Sequence, residues 1–267
     1  MSRVIACLFV ACILLISNNG FAADWIGFRG ANGSGASNEK NLPVKWGADS
    51  NVAWKIELPG AGASSPTILG NRVYITCYSG YGVSGANGGV EDLMLHVVAI
   101  DRATGKTVWK TDVEPEQPES GRVRDHGYAA PTPTTDGERL YVFFGKTGVL
   151  AFDLDGKKLW QTSVGTKTHG WGCGTSPVLH ENLVIVNASV ESGALVALDK
   201  KTGKEVWTAR GMRSSWNTPC LVKTPGGKTE VVVSVHSKIL GFDPASGEQL
   251  WSCNGVPDYV CPSVVTQ

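Results

Sequence analysis

Side chains able to bind or react gather in four short segments, each running into a proline that begins an apolar stretch. RVRDHGYAAP brings Arg122, Arg124, Asp125, His126 and Tyr128 ahead of Pro133. THGWGCGTSP brings His169 and Trp171 ahead of Pro177, and RSSWNTP brings Arg213, Trp216 and Asn217 to Pro219. PDYVCP brings Asp258 and Tyr259 to Pro262. An aromatic residue recurs three to six positions before each proline. Such rings, meeting at one rim, make an apolar floor with polar and cationic edges, the composition of a small-ligand or peptide pocket. The expected binding set is Arg124, Asp125, His126, Tyr128, His169, Trp171, Trp216, Asn217 and Tyr259. The competing reading packs each ring over the adjacent repeat unit and leaves each charge in water.

Other chemistries fare worse. His126 beside Asp125 suggests a general base, but neighbours on an extended loop point apart, and no serine in a strained elbow accompanies them. No catalytic residue is assigned. His96, His180 and His236 lie in or next to strand-like segments. The glycine-rich YSGYGVSGANGG at 78–89 lacks the Lys-Ser/Thr ending and following helix of a phosphate loop and reads as an insertion. No CxxC or Cys/His spacing points to zinc, and no metal is expected.

These segments are punctuation in a repeat. AIDRATGKTVW ends at Trp109, AFDLDGKKLW at Trp160, ALDKKTGKEVW at Trp207 and GFDPASGEQLW at Trp251, at spacings of 51, 47 and 44 residues. A period in this range marks stacked or radial arrays of one supersecondary unit. Pro66, Pro133, Pro177 and Pro219 precede the apolar runs, and a fifth copy is expected to begin at CPSVV with Pro262. Each copy reads as four short antiparallel strands; in the third they fall near 175–179, 182–188, 194–199 and 204–209. No stretch after residue 24 keeps an apolar 3.6-residue period for three turns, so helix has little support. Asp101, Asp153, Asp199 and Asp243 are placed to accept backbone N–H bonds within their turns, and the following glycine supplies the positive φ. Trp109, Trp160, Trp207 and Trp251 read as flat side chains packed between neighbouring sheets.

The predicted fold is all-β, a propeller of four-stranded antiparallel blades near 64–113, 129–164, 174–210 and 217–253, with the start of a fifth at 260–267. NVAWKIEL at 51–58, with Trp54 in the position of a blade tryptophan, reads as a closing strand for the last blade. About four blades with an orphan strand would leave unpaired edges, so the ring is expected to be incomplete and its parent to continue for about three more repeats.

The 267 residues carry no net charge, 24 basic against 24 acidic, with no block of either sign. Nucleic acid and anionic membrane are therefore not indicated as partners. Arg3, the apolar run Val4–Ile16 and the small residues Gly20 and Ala22 form a signal peptide over 1–22, followed by a leader at 23–50. The expected location is across the cytoplasmic membrane, in the periplasm or cell envelope, with no membrane span after cleavage. Cys77, Cys173, Cys220, Cys253 and Cys261 remain, and buried thiols are expected.

The A-[LIF]-D-x-x-TGK-x-x-W repeat, preceded by SP and a strand such as RVYI, resembles the pyrroloquinoline quinone (PQQ)-like propeller repeats of quinoprotein dehydrogenases and BamB-like assembly lipoproteins. DWIGFRGANGSG and LPVKWGADSNVAWKIELPG are similar to secreted, BamB-like members. The resemblance implies a non-catalytic scaffold that engages a protein or peptide partner in the cell envelope without a cofactor. The alternative it implies is a PQQ-dependent oxidoreductase of an alcohol or sugar, with PQQ and Ca²⁺. Members of that branch carry adjacent cysteines and hold Ca²⁺ through Glu, Asn and Asp. Here there is no Cys-Cys pair, and Glu191, Asn187 and Asn217 match no motif. Glycan recognition by the aromatic rim is a third reading.

Overall fold

The computed structural model describes residues 23–30, 33–121, 123 and 126–266. The expected signal segment, Arg122, Arg124 and Asp125 lie outside them. Among the described residues, sixteen strands form four antiparallel sheets of four, each in chain order. Blade one is β1 (Thr67–Leu69), β2 (Arg72–Ser79), β3 (Met94–Asp101) and β4 (Thr107–Val113). Blade two is β5 (Thr134–Thr135), β6 (Arg139–Phe143), β7 (Val149–Asp153) and β8 (Lys158–Thr162). Blade three is β9 (Val178–His180), β10 (Leu183–Ala188), β11 (Ala194–Asp199) and β12 (Glu205–Arg210). Blade four is β13 (Cys220–Lys223), β14 (Thr229–Val235), β15 (Lys238–Phe242) and β16 (Gln249–Asn254). In the third copy the innermost strand starts three residues later than expected and the second and fourth one residue later. Thr175 is held through its hydroxyl on the Asn187 carbonyl of its own blade and Ser176 by a bond to Thr218 of the next, instead of a sheet ladder.

The central strands are buried on both faces, which is why they read as apolar runs without clean alternation. Along β6, Leu140 and Val142 pack into blade one, while Tyr141 and Phe143 pack into blade three. All four are fully buried, and each contributes about 1.5–3 kcal/mol through the apolar surface it removes from water.

Each turn builds a socket for the preceding blade's tryptophan. Asp199 Oδ1 accepts from the backbone of Lys201 and Thr202 and from the Thr202 hydroxyl at 2.8–3.1 Å. Asp101, Asp153 and Asp243 do the same work in their own turns. Gly203 then takes φ +70°, and a Cβ there would lie 2.6 Å from Trp160 Cδ2. The same fit seats Trp54 on Gly105, Trp109 on Gly156 and Trp207 on Gly247. Each indole N–H donates to a carbonyl of the next turn, at Arg102, Leu154, Lys200 and Pro244, over 2.8–3.0 Å. Trp251 differs. It is 37% exposed, lies over Gly241 of its own blade and donates to Glu230.

Residues 51–58 have no ladder among the described residues. Their Trp54, Ile56 and Leu58 pack on Val73, Cys77, Val98 and Ile100 of blade one. Because Asp199 organises its turn through three bonds, Asp199→Ala is expected to cost about 1–2 kcal/mol. Urea unfolding would measure this, and Asp199→Asn should recover part of it. An unchanged midpoint for the alanine variant would show that the glycine alone holds the turn.

Candidate functional site

The loops into the innermost strands are tied to one another by a ladder of hydroxyls. The backbone N–H of Ser65 donates to Thr132 Oγ1, that of Thr132 to Ser176 Oγ, that of Ser176 to Thr218 Oγ1 and that of Thr218 to Ser263 Oγ, all at 2.9–3.0 Å. Each bond crosses from one blade to the next, and in the first four stations the residue stands immediately before the repeat proline. The Ser/Thr-Pro recurrence carried this signal, and sequence reasoning assigned only the proline. In the fifth station Ser263 follows Pro262, so Pro262 stands two positions earlier relative to the ladder than the other four prolines do.

Above this ladder His169, Trp171, Trp216 and Tyr259 come together. Trp171 lies 5.2 Å from Trp216, 4.9 Å from Tyr259 and 5.7 Å from His169, measured between ring centroids. Trp216 meets His169 at 5.0 Å and Tyr259 at 5.6 Å. The interplanar angles of 56–81° are the tilted and edge-on arrangements that ring quadrupoles favour. Trp216 is the buried base, 8% exposed, with its N–H on the Gly172 carbonyl at 2.9 Å. Tyr259 is the outer ring, 52% exposed.

The other expected members part company. Tyr128 packs on Tyr78 and Tyr81 and donates to the Ser120 carbonyl at 2.5 Å. Its burial pushes the phenol up to about 12. The imidazole of His126 lies beside Gly172. Asn217 does not face the rim, a correction to its expected binding role. Its amide donates to Ser215 Oγ and the Ser234 carbonyl at 2.6–2.9 Å and accepts from the Ser234 N–H, locking the loop into blade four.

Behind the rings lies a recess of about 30 Å³ lined by Glu119, Lys146, His169, Cys173 and Glu191 among others. Glu191 is 2% exposed and its Oε2 has no hydrogen-bond partner. Burial pushes its carboxyl up to about 8, so it is protonated at neutral pH. Burial, and then the nearby Glu191, raise the Cys173 thiol well above its ordinary value. Lys146 is also buried and donates to the Pro118 carbonyl at 2.6 Å. The thiol expectation is corrected elsewhere: Cys77 and Cys220 are buried, whereas Cys253 and Cys261 are exposed. They lie on the outer strand β16 and on a lead-in loop, where little packs over them.

Ca²⁺ asks for six to eight convergent oxygens. Glu191 Oε2 and Asn187 Oδ1 are buried acceptors without partners, but the Asn217 amide is consumed by backbone and the Glu191 carboxyl abuts a thiol. Among the described residues no group of three His, Cys, Asp or Glu side chains could hold a metal ion. The donor set does not fit a quinone-associated Ca²⁺ as Glu191, Asn187 and Asn217 stand.

A family model described as outer membrane protein assembly factor BamB matches residues 36–170 and 93–257. BamB of Burkholderia pseudomallei is 29% identical over 175 residues, covering 61% of this chain and 37% of its own length. Polyvinylalcohol dehydrogenase of Pseudomonas sp is 26% identical over 174 residues, covering 58% and 24%. The chain thus spans well under half the length of these curated relatives. Among solved structures, BamB from Moraxella catarrhalis superposes with a TM-score of 0.53 at 17% identity, over 76% of this chain and 55% of that one. Quinohemoprotein alcohol dehydrogenase from Comamonas testosteroni gives 0.62 at 16% identity, over 88% and 42%. Both likenesses bear on the fold, which is the propeller expected from the repeat.

Proposed function

Since the chain belongs to the family of the outer membrane protein assembly factor BamB, we propose that it is a non-catalytic propeller of the cell envelope that holds an extended segment of a protein partner at its aromatic mouth. The observation that carries this is the cluster of His169, Trp171, Trp216 and Tyr259. Its rings are already fixed by one another, so binding costs little further side-chain entropy. The half-exposed Tyr259 and the partly buried Trp171 are the kind of rigid, amphipathic surface that supplies binding hot spots.

A photo-crosslinking residue in place of Tyr259, in the cells that make the protein, should yield an adduct with a discrete partner. Trp171→Ala combined with Tyr259→Ala should lower recovery of that partner by about 30-fold or more, the loss of one hot spot of ~2 kcal/mol or greater. Trp216 is left intact because it is buried in the loop framework. Equal recovery with both rings removed would sink the reading. The quinoprotein alternative has its own readout: protein given PQQ and Ca²⁺ would gain quinone absorbance and reduce a dye in the presence of an alcohol. The glycan alternative would appear as oligosaccharide binding lost in the same double variant.

A further inference from the structure

We infer that the cavity bounded by the innermost strands β9 and β13 and by the leader binds a small oxyanion-bearing molecule, a carboxylate or phosphate compound. Its volume is about 610 Å³, within the size range of small-molecule sites. Its walls include the innermost strands β9 and β13, each the edge of its sheet, and such edges carry unpaired N–H groups. Its floor is the leader. Trp25 exchanges backbone hydrogen bonds with Ile68 at 2.8–2.9 Å, and the Ile26 carbonyl accepts from Thr135 N–H at 2.9 Å, so residues 25–27 are fastened across blades one and two.

The lining is one-sided in charge. Arg29, His180 and Lys223 face the cavity, and none of its lining residues is acidic, in a chain whose acidic and basic residues are equal in number. Glu181 reaches His180 at 4.0 Å, and Asp243 lies within electrostatic reach of it, but neither lines the cavity. Arg29 is held at φ +61° and is followed by Gly30 at φ +80°. That left-handed conformation is one a non-glycine residue adopts only at a cost. The guanidinium makes one hydrogen bond among the described residues, from Nη2 to the Ser34 carbonyl at 3.4 Å. Of its five N–H donors the described residues take one, and the fork they form matches carboxylate and phosphate.

The test is calorimetric titration of the purified chain with citrate and with inorganic phosphate at low ionic strength, alongside thermal melts. One-site, saturable binding of either anion is expected, with none for glucose. Arg29→Gln keeps the backbone geometry and should weaken binding at least tenfold; Lys223→Gln, at the exposed end of β13, should weaken it a few-fold. The variant lacking Trp171 and Tyr259 should bind as the unaltered chain does, so failure at the mouth and failure in the cavity are distinguishable. Phosphate and citrate also stabilise proteins by exclusion from their surface. Equal stabilisation and affinity in both charge variants would therefore overturn the assignment, as would no binding of either anion.

Discussion

Trp160→Ala is expected to destabilise the chain by about 3–5 kcal/mol, the range for removing a large aromatic from a packed interface. The indole fills the seam between blades two and three, stacking on Gly203 and meeting Tyr141 at 6.1 Å. Its N–H also satisfies the Lys200 carbonyl at 3.0 Å. Alanine would leave the socket empty and the Lys200 carbonyl with only the Arg139 guanidinium, at 2.9 Å, as its donor. Gly203→Ala attacks the same joint from the other side, since the new Cβ would fall 2.6 Å from the ring at a φ of +70°, and about 2 kcal/mol is expected. Trp251→Ala is the internal control. That ring is 37% exposed and rests on its own blade, bonded to the partly exposed Glu230, so less than about 1 kcal/mol should be lost. Urea midpoints for the three variants would decide the matter. Equal losses at Trp160 and Trp251 would mean that the socket contributes nothing beyond the strand itself.

Glu191→Gln is expected to change the pH dependence of stability by about 5 kcal/mol between acid and alkaline conditions. The native carboxyl keeps its proton up to about pH 8, against an ordinary value of 4.5 for the unfolded chain. Between those limits the native state binds more protons than the unfolded one, so its stability falls as pH rises. The group's contribution is complete below pH 4.5, is lost as pH climbs toward 8 and is flat above. Glutamine occupies the same volume and cannot ionise. The variant should match the unaltered chain near pH 5 and exceed it in urea midpoint at pH 9. Comparing the two chains cancels the opposite trend from Asp101, Asp199 and Asp243, whose turn hydrogen bonds hold their carboxyls below the usual range. Parallel profiles from pH 5 to 9 would show that Glu191 reaches water in the native state.

The framework was legible because its causes are local. A turn such as Asp199 to Gly203 is decided within five residues by side-chain acceptors and one left-handed glycine. The hairpins join strands that are neighbours in the chain, so the four-strand unit and its tryptophan could be read from one copy and checked in the next. The clustering of His169, Trp171, Trp216 and Tyr259 was also foreshadowed, because a repeat that fixes each blade places equivalent loops on one rim.

The contents of that rim were decided by tertiary structure alone. Tyr128 carries the same recurrence as Trp171, yet it turns to Tyr78 and Tyr81, which the 78–89 insertion region supplies. Asn217 lies beside Trp216 in sequence, yet its amide is taken by Ser234, seventeen residues on. Nothing local to Glu191 announces a carboxyl that keeps its proton, since the shift comes from burial by residues brought in from other loops, and the Cys173 contact opposes it. The docking of the leader onto Ile68 and Thr135, which puts Arg29 in the cavity wall, joins residues 43 and 109 positions apart. The sequence by itself thus determined the blade, whose turn geometry and strand pairing are settled among near neighbours. Only the tertiary structure decided which polar groups are spent, which are buried and which face solvent, because hydrogen-bond satisfaction and desolvation depend on residues that the chain brings together from afar.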